Sequence, residues 1–85
     1  VLTSVVGREA SLQLNLPTSG SVTLDIFDAR GARVRCIHTG GMESGSRILI
    51  WDGRDSGGRN VSSGVYLVRM QYAGEAYTGR VVMVR

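Results

Sequence analysis

Asp52 and Asp55 stand three residues apart in the run Trp51-Asp-Gly-Arg-Asp-Ser-Gly-Gly58, and two carboxylates among glycines are the first place to look for a bound cation. A calcium loop takes oxygen ligands at alternating positions and closes on a bidentate acid. Here Arg54 falls where a ligand belongs, and no acid closes the run. The simpler chemistry is internal. Short acidic side chains accept bonds from the backbone N–H groups just ahead of them, and glycines supply the positive φ of a tight turn. Asp52, Gly53, Asp55 and Gly58 therefore read as turn-holding residues, and neither a metal nor any other cofactor is expected.

His38 is the only imidazole and Cys36 the only thiol. Strict alternation along a strand puts both on one face, a spacing compatible with a Cys–His pair, and throws Arg35 to the other. A nucleophilic pair needs a third group to orient the base, and none is evident. Cys36 reads as a quiet, half-buried side chain, and a lone cysteine has no internal disulfide partner. No serine sits in a nucleophile-elbow pattern, and a chain this small has little room for a cleft with carboxylates on both sides. The chain is not expected to be an enzyme. The aromatics raise a binding alternative. Tyr72 and Tyr77 flank a turn, so adjacent strands bring them near each other as a candidate carbohydrate face, with Trp51 as a further stacking platform. A tryptophan at the end of an apolar strand is more simply a core anchor.

The net charge of +3 comes entirely from arginine, since the chain has no lysine. Arg33, Arg35, Arg69 and Arg80 are scattered over three expected strands at positions where alternation needs a solvated residue. No basic run interleaves with aromatics, so nucleic acid is not an expected partner. No apolar run approaches the roughly 18 to 20 residues that cross a bilayer as a helix.

The elements that position these groups are short and extended. Leu12, Leu14 and Leu16 alternate in residues 11–16; Val22, Leu24 and Ile26 alternate from residue 22 to residue 27. Residues 28–31 form a tight turn, 33–39 a strand and 40–45 a loose glycine loop. Residues 47–52 are apolar on both faces through Ile48, Leu49, Ile50 and Trp51, which predicts a central, covered strand. The Gly- and Asp-rich turn then reads as a hairpin-like connection into residues 65–72, where Val65 and Leu67 face one way and Tyr66, Val68, Met70 and Tyr72 the other. Residues 73–75 turn, 76–84 form the last strand, and a further short strand is expected at residues 2–6. No window carries a 3.6-residue apolar period. About seven short strands with turn signals every 8 to 12 residues predict an all-β, antiparallel sandwich; a small closed barrel satisfies the same pattern. With 85 residues there is one domain, residues 1–85, and a thin core. With no initiator Met, the chain reads as a fragment or processed piece of a longer polypeptide, and any export signal is expected upstream.

The order of motifs resembles a known family. Val22-x-Leu-x-Ile-Phe-Asp-x-x-Gly31-x-x-Val34, then Trp51-Asp-Gly-x-Asp55-x-x-Gly58, Ser63-Gly-Val-Tyr-Leu-Val-Arg69 and Arg80-Val-Val-Met-Val-Arg85 are similar to the immunoglobulin-like domain of flagellar hook-capping proteins, the FlgD-like family. They are also similar to the related C-terminal sorting domains of type IX secretion. The long Trp-Asp-Gly-x-Asp turn and the arginine-based last strand look more like the former. The resemblance spans about residues 10–85. It implies an immunoglobulin-like sandwich without catalytic residues, the C-terminal module of an exported bacterial protein, acting as a spacer, an assembly contact, or a secretion and surface-anchoring signal. It implies protein partners or secretion machinery, an extracellular or cell-surface location after periplasmic transit, and a structural role for Trp51, Asp52, Gly53, Asp55, Gly58, Gly64 and Tyr66. A hook or filament cap and a carbohydrate-binding module are the alternatives.

Overall fold

The computed structural model describes residues 2–3 and 9–84. The strands in chain order are β1 (Leu2–Thr3), β2 (Ala10–Leu16), β3 (Gly20–Phe27), β4 (Arg33–Met42), β5 (Gly45–Trp51), β6 (Gly64–Tyr72) and β7 (Glu75–Met83). They form two antiparallel sheets, ordered β1-β2-β5 and β4-β3-β6-β7, and the described residues include no helix. The sandwich expected from the alternation is the observed architecture. β1 covers two residues of the strand expected at 2–6; residues 4–6 lie outside the described residues.

Alternation builds the core. Leu12, Leu14 and Leu16 from β2 face Val22, Leu24 and Ile26 from β3, and Tyr66, Val68, Met70 and Tyr72 from β6 join them in one buried cluster. Each large side chain withdrawn from water contributes roughly 1.5–3 kcal/mol, so this one seam carries most of the favourable free energy.

Three expectations are corrected. The segment after Trp51 is not a hairpin. Trp51 pairs across from Ala10 in the three-stranded sheet, whereas β6 lies between β3 and β7 in the other, so residues 52–63 cross from sheet to sheet. Consecutive strands pair antiparallel at β1–β2, β3–β4 and β6–β7 instead. β5 is not a covered central strand but the edge of its sheet, with Ile48 at 64% and Ile50 at 51% exposure. A two-sided apolar run reports side-chain type; it carries no information about which neighbour is missing. Residues 40–42 are not loop. β4 runs on through Gly40 and Gly41 to Met42, opposite Val22, Ser21 and Gly20.

β4 also carries two register shifts against β3, which leave Val34 and Ile37 without a paired residue. Both pack on the core. The shift places Cys36 opposite Asp25 and His38 opposite Leu24, breaking the strict alternation that brought the thiol and imidazole to one face. The Cys36 thiol lies instead against the His38 backbone carbonyl, Sγ to O 3.6 Å.

Candidate functional site

Trp51 ends β5 fully buried, and its indole N–H donates to the Arg54 carbonyl at 2.9 Å. Its ring meets Tyr66 of the other sheet edge-on, with centroids 5.3 Å apart and planes at 70°. The Tyr66 hydroxyl donates back four residues to the Ser62 carbonyl at 2.7 Å. A tyrosine near the start of a strand that reaches upstream backbone in this way pins the corner between sheets of an immunoglobulin-like sandwich. The loop between these two aromatics is thus fixed at both ends by their polar atoms.

Within it the carboxylates are occupied. Asp52 Oδ1 accepts the Arg54 N–H at 3.1 Å and the Arg35 guanidinium at 2.7 Å. Asp55 Oδ1 accepts the N–H groups of Gly57 at 2.9 Å and Arg59 at 3.0 Å. The Gly53 carbonyl takes the Val61 N–H at 2.9 Å, Arg54 and Asn60 form an antiparallel bridge, and the Ser56 N–H donates to Val34 of β4 at 3.1 Å. Gly64 opens β6 opposite Met83.

Asp28 repeats the Asp55 loop bond for bond. Its Oδ1 accepts the N–H groups of Arg30 at 3.0 Å and Ala32 at 2.9 Å, just as Asp55 accepts those two and four residues ahead. In both loops the aspartate N–H bonds the carbonyl four residues on, and its carbonyl takes the N–H of a glycine three residues on. Those glycines, Gly31 and Gly58, hold φ of 88° and 83°. The shared spacing Asp-x-x-Gly was visible in the sequence, where residues 28–31 read as a tight turn, but the identity of the two loops was not drawn from it. The Ala32 N–H, with Arg30 helping against a burial cost, holds the Asp28 carboxyl below its ordinary value.

The two loops flank a cleft of about 350 Å³ lined by Asp28, Arg33, Asp55, Ser56 and Tyr66 among others. Its carboxylates already hold backbone N–H groups, and no group of three or more His, Cys, Asp or Glu assembles among the described residues. Chemically the arrangement is a clamp: it fixes two loops and the crossing between sheets.

Tyr72 is 8% exposed, and its hydroxyl donates to the Thr18 carbonyl at 2.6 Å while accepting the Thr18 N–H at 3.2 Å. Tyr77 packs against the core and donates to Glu75 at 3.0 Å, a bond that raises its phenol pKa. Tyr72 is thus buried, and Tyr77 is half-buried with its hydroxyl at the surface. A groove of about 650 Å³ beside them is lined by Thr18, Ser21, Thr23, Gln71 and Glu75. Of the arginines singled out in the sequence, Arg33, Arg69 and Arg80 are exposed; Arg35 is half-buried and ties β4 to Asp52 beyond the end of β5.

A family model described as the FlgD Ig-like domain matches residues 2–76. Among solved structures, the crystal structure of FlgD from P. aeruginosa is similar to the chain, with a TM-score of 0.64 and 32% identity over 82% of this chain. The chain spans about half of that protein, 55% of its length. No curated protein matches it.

Proposed function

The chain belongs to the FlgD Ig-like domain family, and we propose that it serves as a non-catalytic assembly module of an exported, cell-surface protein, joining copies of itself through the free edge of β5. One observation carries this reading. β5 is a seven-residue edge strand with no proline and no register shift, and its outer face shows Ile48 and Ile50. Natural sheets blunt such edges with bulges, prolines or outward charge. β4, an edge of the other sheet, is shifted twice. On β5 the one charge, Arg47, turns to its own loop, its Nε 3.4 Å from the Glu43 carbonyl.

An added antiparallel strand satisfies the open N–H and C=O groups and covers the isoleucines. Centred on Leu49, two copies of β5 place Ile48 of each opposite Ile50 of the other, an isologous contact of the kind twofold assemblies use. Sedimentation over a wide concentration range tests it. Reversible dimerisation is expected, abolished by Ile48→Lys with Ile50→Lys while circular dichroism stays unchanged. A strict monomer at every concentration removes the edge-pairing reading.

A further inference from the structure

The two outer faces of the sandwich differ in charge. Along the three-stranded sheet the outward positions of β2 are Ser11, Gln13 and Asn15, and those of β5 add Ser46 to the two isoleucines. The four-stranded sheet instead presents a register row of Arg33, Phe27, Leu67 and Arg80, one residue from each strand. Arg69 follows on β6 beyond Leu67, and Val65 precedes it. Leu67 is 41% and Val65 42% exposed, so an aliphatic stripe runs along β6. The carboxylate in the adjoining row, Asp25, is 15% exposed at its side chain and sits 3.2 Å from Arg33 Nε. That contact is ionic rather than an aligned hydrogen bond, since Asp25 Oδ1 has no hydrogen-bond partner. Three guanidiniums thus stand around one apolar stripe, with Asp25 against Arg33 and across from Arg69, and Asp28 beside Phe27 at the end of β3.

We infer that this face docks an acidic amphipathic helix of a partner protein, aliphatic side chains on Phe27, Leu67 and Val65, and carboxylates on the arginines to either side. The dimensions fit. Arg33 and Arg80 lie three strand spacings apart, about 14 Å, and a helix with its side chains is about 10–12 Å across. Arginine is the cation that pairs carboxylates in bidentate fashion, and arginine beside apolar groups marks protein interfaces. Nucleic acid fits less well, because Phe27 is the one aromatic in the arginine row, while Trp51, Tyr66 and Tyr72 are buried in the core. A second copy fits less well too, because Asp28, Asp52 and Asp55 already hold backbone N–H groups in their own loops.

The test uses a synthetic helical peptide with a leucine stripe flanked by glutamates, titrated into isotopically labelled protein. Amide shifts are expected to map to Phe27, Val65, Leu67 and Arg69. Affinity is expected to fall as salt rises, and by about tenfold or more on Arg69→Glu or Arg80→Glu. The salt series on the unmodified protein gives the same answer should a charge reversal perturb folding. The β5 lysine variants are expected to bind the peptide unchanged, which separates this face from the edge contact. Absence of shifts on this face, equal binding of a control peptide with lysines in place of the glutamates, or tighter association with anionic phosphatidylglycerol vesicles or duplex DNA overturns it.

Discussion

An aspartate whose Oδ1 accepts the N–H groups two and four residues ahead closes its own loop, and this chain does so at Asp28 and at Asp55. The acids that look like ligands are therefore acceptors for orphan backbone donors. The consequence is a pH signature at Asp28. Its carboxyl titrates below the ordinary value because the Ala32 N–H, above all, favours the charged form. The unfolded chain then binds a proton that the folded chain refuses. This contribution to stability is present above about pH 4, the unfolded aspartate value, and is lost as pH falls through the lower folded value. Asp28→Asn keeps an acceptor oxygen in place and removes the titration. Urea midpoints across the acid range should fall less steeply with pH in the variant than in the unmodified chain; superimposable slopes would show that the N–H groups do not bias the proton.

At the level of elements, the strands whose neighbours lie on both sides were the legible ones. β2, β3 and β6 alternate as written in the residues, and their inward sets became the core. β5 was misread because Ile48 and Ile50 are apolar for an edge, and an edge is a fact about absent neighbours. The 52–63 crossing was misread because turn residues announce a reversal but leave open whether the next strand joins the same sheet. Turn chemistry supplies its own test at the β6–β7 hairpin. Ala73 sits at φ 53° and Gly74 at φ 78°, the pair of positive angles that a two-residue turn needs to match strand twist. Alanine there pays about 1–2 kcal/mol for its Cβ in the left-handed region, which asparagine tolerates better. Ala73→Asn is accordingly expected to raise the unfolding free energy by up to about 1 kcal/mol. A lower denaturation midpoint in the variant would mean that the turn relaxes to another type in solution.

For the molecule as a whole, the seven-strand sandwich and its inward residues were readable, whereas the division into sheets was not, since it rests on pairings such as Ala10 with Trp51 that join residues far apart in the chain. Those pairings also decide how it unfolds. The three-stranded sheet cannot bury Leu12, Leu14 and Leu16 without Leu24, Val68 and Val81 of the other sheet, for all belong to one cluster. Trp51 and Tyr66 meet across the same seam. A single sheet left with a bare apolar face has no independent stability. At the usual share per residue, 85 residues give a total of roughly 4–13 kcal/mol. Leu12→Ala, which empties a fully buried position, should remove about 2–5 kcal/mol of it. Tryptophan fluorescence reports the seam through Trp51, and far-ultraviolet circular dichroism reports all strands together. The two urea curves should coincide in the unmodified chain and shift together in Leu12→Ala. Two separated midpoints would mean that one sheet melts while the other stands, which a shared core of this kind does not permit.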